Sequence, residues 1–134
     1  MDKVFFEDSS MRLIEHSLDL AVQRQGLISS NLANVDTPGY KTVDVHFEQE
    51  LRQAMNTQPV LTVTNARHIS TTLDGHNGAS PDEVEGLPQR NDLNNVNIDR
   101  EMAQLSTNAM KFAMAAQILA GKFRTLKSAI NEGK

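Results

Sequence analysis

From Met102 onward, apolar residues recur at alternating steps of three and four: Met102, Leu105, Ala109, Phe112, Ala116, Leu119, Phe123, Leu126 and Ile130. Nine positions in step, with no proline among them, specify one long α-helix with an apolar face. A helix of this kind draws most of its stability from covering that face, not from propensity. The other end of the chain supplies a partner. Met11, Ile14, Leu18, Ala21, Gln25, Ile28 and Leu32 keep the same alternation, the seam of a coiled coil. Gln25 is its polar member, and such a residue can fix register at some cost in stability. Leu13, Leu20 and Leu27 form a second line beside the seam, so this helix faces two neighbours. The expected fold is mainly α, with long N- and C-terminal helices pairing as a coiled coil around a short irregular, β-containing middle segment. The chain then divides into residues 1–36 and 97–134 as the two core helices and residues 37–96 as a small outer segment.

The ends of these elements can be read locally. Ser9 or Ser10 can cap the first helix. Its exit lies in Ser29-Ser30-Asn31-Leu32-Ala33-Asn34-Val35-Asp36-Thr37-Pro38-Gly39-Tyr40-Lys41. Asparagine competes with the helical backbone and tolerates the left-handed conformation common at helix ends. Pro38 disfavours helical geometry at Thr37. Thr37-Pro38-Gly39-Tyr40 fits a type II turn, with proline setting φ at the second position and glycine accepting positive φ at the third. Beyond it the chain runs extended and then forms a short helix, with Phe47, Leu51 and Met55 on one stripe. Pro59 to Thr64 has the β-branched content of a strand. Asp74 to Asn95, punctuated by glycine and proline among polar residues, reads as a long mobile loop. Asn97 is an N-cap, with Asp99 and Glu101 in the first turn. Lys122, Arg124 and Lys127 fall towards the C-terminal end, where cations are favoured. Gly26, Ala113, Ala115, Ala120 and Gly121 make parts of both helices narrow, which either permits close helix approach or marks a neutral surface.

The exit stretch also carries a resemblance. Ser30, Asn31, Leu32, Ala33, Asn34, Val35, Asp36, Thr37, Pro38, Gly39, Tyr40 and Lys41 form a run that resembles the motif of the axial proteins of the bacterial flagellum, its rod and hook components. Asn94 to Met102, Asn108 to Phe112 and Lys122 to Ile130 are similar to the rod members of that family, and Arg67-His68-Ile69 to an element of their middle region. Two departures stand out. Leu93 occupies a position where the family usually has glycine, which puts the turn before the second helix in question. Asn97 replaces the usual aspartate and keeps a capping side chain. The length fits a rod member, because hook and distal rod members carry larger insertions.

The resemblance implies a subunit that leaves the cell interior through the flagellar type III export apparatus. It implies polymerisation by the terminal helices into the proximal part of the periplasmic rod. Its implied partners are other rod subunits, the membrane-ring protein and its rod adaptor. The alternatives are a closely related rod subunit, or a helical-hairpin export chaperone or adaptor.

Composition agrees by exclusion. A formal net charge of −4 lacks the broad basic field of a nucleic-acid binder. Residues 35–98 carry 4 basic and 9 acidic groups, and residues 99–134 carry 6 and 3, an asymmetry suited to intramolecular or subunit-to-subunit complementarity, although a solvated surface is the commoner reading of such differences. With no cysteine there is no thiolate metal site or nucleophile. The N-terminal residues lack the apolar core of a cleavable signal, and no apolar run approaches the roughly 20 residues of a membrane span. His16, His46, His68 and His76 share no ligand spacing, and Ser29-Ser30 has no nucleophile elbow. The expectation is a non-enzyme with no metal or cofactor.

Overall fold

The computed structural model describes residues 9–56 and 79–132. The strand expected from Pro59 to Thr64, the Arg67-His68-Ile69 element and His76 lie outside the described residues. Five elements follow in order: α1 (Ser9–Ala33), β1 (Val43–Asp44), α2 (Phe47–Asn56), β2 (Asp82–Glu83) and α3 (Ile98–Glu132). The two long helices dominate, at 25 and 35 residues. They lie antiparallel. Lys122 donates to the Ser10 hydroxyl, while Asn31 donates to Glu101 at 2.9 Å. Ser10 to Asn31 is 31 − 10 = 21 positions up α1, and Lys122 to Glu101 is 122 − 101 = 21 positions down α3. Twenty-one residues are three heptads, so the pair keeps one register over its length.

The middle segment is folded against α1. Leu20, Ala21, Val45, Phe47 and Ala79 form a buried cluster, with Leu27 and Leu51 packed beside it. The second apolar line of α1 thus meets the middle segment, as its placement beside the seam implies. Phe47 and Leu51 of the α2 stripe face this cluster, while Met55 is 65% exposed. Lys111 ties α2 to α3. Its ammonium donates to Glu48 at 2.9 Å and sits 4.5 Å above the Phe47 ring centroid. The Lys111 hydrogen bond, with a backbone bond to Glu48, holds the Glu48 carboxyl below its ordinary pKa.

Part of the stretch expected to be a mobile loop is pinned. β2 pairs antiparallel with β1, placing Val43 opposite Glu83 and Asp44 opposite Asp82, and the Val84 amide extends the ladder to the Thr42 carbonyl. Two polar residues flanked by turns carry no period-two pattern, so local sequence does not reveal β2. Arg24 of α1 grips Asp44 with two bonds, at 2.9 and 2.7 Å, and Gln23 donates to the Ala79 carbonyl. α3 begins as expected: the Arg100 amide donates to the Asn97 side chain at 3.1 Å. Its end differs. No basic residue lies in the last turn, because α3 runs on to Glu132, past Lys127.

Candidate functional site: an asparagine-linked junction and an open helix face

The exit of α1 and the entry to α3 are one structure. Asn34 closes α1 by donating both its backbone amide, at 3.1 Å, and its side-chain amide, at 2.8 Å, to the Ser30 carbonyl. Its own carbonyl oxygen accepts from the Thr37 hydroxyl at 3.1 Å. The next turn is the one the residues specify. The Tyr40 amide donates to the Thr37 carbonyl at 3.2 Å and Gly39 has φ 74°, as the third position of a type II turn requires. The Gly39 amide reaches across to the Asp92 carbonyl at 2.8 Å.

Asn31 is the hub. It is 1% exposed and all four of its hydrogen-bonding positions are used. The amide nitrogen donates to the Val43 carbonyl and to Glu101, both at 2.9 Å. The amide oxygen accepts from the Val43 amide at 3.1 Å and the Tyr40 hydroxyl at 3.2 Å. One side chain thereby pairs with β1 as a neighbouring strand would, and links that strand to α3. Tyr40 in turn lies 3.3 Å from the Ser30 hydroxyl.

Asn94 and Asn95 fasten the other side. The Asn94 amide, fully buried, donates to the carbonyls of Asn34, Val35 and Thr37 at 3.0, 3.1 and 2.8 Å. Asn95 accepts from the Thr42 amide at 2.7 Å, and its own amide donates to the Tyr40 carbonyl at 3.3 Å. Arg90 donates to the Val35 carbonyl at 3.0 Å and lies 3.8 Å from the Asp36 carboxylate. Glu101 is wholly buried, and its two oxygens accept from Asn31 and from Arg100, the latter at 2.6 Å. The motif residues therefore meet in space. Ser30, Asn31, Asn34, Thr37, Gly39 and Tyr40 share one hydrogen-bond network, Leu32 is half-buried, and Ala33, Asp36 and Pro38 stand on the surface. Glu101 and Asn108 are buried links that the sequence does not reveal, since neither interrupts an apolar line.

The seam residues separate into two sets. On α1, Ala21 and Ile28 are buried, while Met11, Ile14, Leu18 and Leu32 are half-buried. On α3, Leu105, Ala116, Leu119 and Leu126 are half-buried. Met102, Phe112, Phe123 and Ile130 remain 52, 43, 55 and 66% exposed, and Ala109 is exposed too. Within the chain, α3 meets α1 along a line one residue earlier. Glu101, Asn108, Ala115 and Lys122 stand seven apart, and Asn108 donates to the Ala21 carbonyl at 2.8 Å and to Gln25 at 3.1 Å. Gln25 thus makes the polar register contact that its place in the seam foreshadows. Gly26 and Gly121 do not serve a close approach inside the chain, because a Cβ at either would meet nothing within 4 Å.

Among the described residues no three acidic or histidine side chains converge as a metal site, and no helix is long and apolar enough to cross a membrane. His46 lies 3.8 Å from Asp82 on the surface. The arrangement is suited to holding two helices at a fixed register while presenting an uncovered apolar face.

A family model described as the flagella basal body rod protein matches residues 18–41, the C-terminal half of α1 and the turn after it. Three relatives, each named flagellar basal body rod protein FlgB, align over nearly the whole chain. The Yersinia enterocolitica protein is 30% identical, covering 94% of this chain and 96% of its own. The Bacillus subtilis protein is 31% identical, with 90% and 92% covered. The Borrelia hermsii protein is 33% identical, with 92% and 96% covered. The similarity spans both helices and the junction between them, and the chain belongs to the FlgB family of flagellar basal body rod proteins.

Proposed function

We propose that this structural rod subunit polymerises through α1 and α3 into the proximal part of the drive shaft, with residues 37–96 forming its outer layer between core segments 1–36 and 97–134. Its neighbours are other rod subunits, with the membrane-ring protein and its rod adaptor at the base. It reaches the periplasm through the type III apparatus, and it performs no catalysis. The supporting observation is the open face of α3. Four large apolar side chains at seam positions, Met102, Phe112, Phe123 and Ile130, stay exposed in the lone chain, an arrangement that marks a protein–protein contact.

Leu119→Asp tests this reading against Gln117→Asp. Leu119 is half-buried in the seam and Gln117 is exposed. An unpaired carboxylate in an apolar contact costs several kcal/mol, whereas a surface change usually stays within about 0.5 kcal/mol. The Leu119 variant is expected to be made and exported yet absent from isolated basal bodies, leaving cells without hooks or filaments; the Gln117 variant is expected to assemble. A chaperone acts in the cytosol, so incorporation of Leu119→Asp at the wild-type level, or loss of secretion of another rod protein alone, contradicts the proposal.

A further inference from the structure

We infer that the outer edge of β2 is a docking edge for an extended, lysine- or arginine-bearing segment of another protein, which adds to the β1–β2 ribbon as a third strand. The ladder itself leaves this edge open. Antiparallel strands pair through alternate residues. Val43 spends both of its main-chain groups on Asn31, on the side of β1 away from β2. The pairs that bridge the ribbon are therefore Thr42 with Val84 and Asp44 with Asp82. Glu83, opposite Val43, turns its N–H and C=O outward, and no described residue takes up either group.

An open edge can template pairing with any chain, and charge narrows the choice. Asp82, Glu83 and Glu85 stand exposed along it, and Glu83 and Glu85 have no ion pair among the described residues. A second copy brings the same carboxylates against them, and its basic residues from Arg100 to Lys127 lie in α3, which has no strand to lend. Side chains alternate across the ribbon. Glu83 stands on one face, and Asp82 stands on the other beside Asp44, at a cleft also lined by Arg24, His46, Arg100 and Gln104. Both guanidinium groups there are engaged, Arg24 with Asp44 at 2.7 Å and Arg100 with the buried Glu101 at 2.6 Å. His46 lies 3.8 Å from Asp82. The Gln104 Oε1 is buried and accepts no hydrogen bond, an atom that calls for a donor. A strand with two neighbouring basic residues places one cation beside Glu83. It projects the other, with its several N–H donors, into the cleft toward Asp82 and Gln104. Main-chain pairing supplies the affinity, and these side-chain contacts supply the preference for a basic segment.

The test titrates the full chain with a short valine- and threonine-rich peptide carrying a central Lys-Arg pair. Amide exchange at Glu83, rapid in the dilute chain, is expected to slow on binding, and the affinity is expected to fall as salt rises. The same peptide N-methylated at alternate positions keeps its charge and loses main-chain pairing, so it is expected to bind about tenfold more weakly. A Glu-Glu counterpart is expected not to bind. In the protein, Glu83→Lys is expected to weaken binding of the Lys-Arg peptide about tenfold, and Gln104→Leu about fivefold. Equal binding of the N-methylated peptide overturns strand addition, and equal binding of the Glu-Glu peptide, or an unchanged affinity in Glu83→Lys, overturns the basic partner. Slow exchange at Glu83 in the dilute chain alone shows the edge already covered and overturns the docking edge. Protection at Glu83 that appears only on concentrating the chain assigns the edge to a second copy and overturns the choice of occupant. None of these results touches assembly through α1 and α3, which Leu119→Asp tests separately.

Discussion

Leu93 and Gly39 both adopt left-handed backbone, with φ 65° and 74°, and only one of them is a glycine. For an L-residue with a Cβ that conformation costs roughly 1–2 kcal/mol. Leu93 is 60% exposed, so burial of its side chain recovers little of this. What holds it there is the network around it. The Leu93 amide donates to the Arg90 carbonyl at 2.9 Å, and its carbonyl accepts from Lys41 at 2.8 Å. Leucine at this position therefore carries strain that a glycine would not. Leu93→Gly is expected to stabilise the chain by about 0.5–1 kcal/mol, the relieved strain less the added freedom of glycine when unfolded. Gly39→Val is expected to destabilise by about 1–3 kcal/mol, from φ alone, since a Cβ at Gly39 meets nothing within 4 Å. Thermal unfolding of the two variants checks this, and a shift of the same sign in both contradicts it.

Among the elements, Asn31 does what a third strand would otherwise do for β1. Asn31→Leu keeps the volume but leaves the Val43 amide and carbonyl unpaired and removes a donor from the buried Glu101 carboxylate. Each buried unpaired group costs about 1–3 kcal/mol. The variant should therefore lose about 3–5 kcal/mol by denaturant unfolding, and a loss below 1 kcal/mol would show that water replaces the amide freely. The asparagines at the α1 exit were legible as helix terminators, but not as ties to a segment some sixty residues away. Helix placement was legible because the three-four alternation is long: α1 and α3 begin at Ser9 and Ile98, beside the capping residues read from sequence. The face of α3 that meets α1 was not. Apolar periodicity marks Met102, Ala109, Ala116 and Phe123, whereas the inner line is Glu101, Asn108, Ala115 and Lys122, mostly polar and held by hydrogen bonds. A pattern built on hydrophobicity passes over a seam of that kind.

On the scale of the whole molecule, the chain is tight at one end and open at the other. The junction concentrates the buried asparagines and Glu101 where α1 ends and α3 begins. Toward the far end, Ser10 lies opposite Lys122, so residues 124–132 of α3 run past the described part of α1. Between them Met102, Phe112 and Phe123 of α3 stand exposed. A binder of the folded form stabilises it by mass action, so order in distal α3 is expected to depend on assembly. Amide hydrogen exchange tests this directly, comparing the dilute chain with the assembled rod. Exchange at Thr42, Val43 and Asn95 is expected to be slow in both states. Amides from Phe112 to Ile130 should exchange rapidly in the dilute chain and slowly in the rod. Strong protection from Phe112 to Ile130 in the dilute chain would show that α3 is complete by itself, and would contradict assembly through its open face.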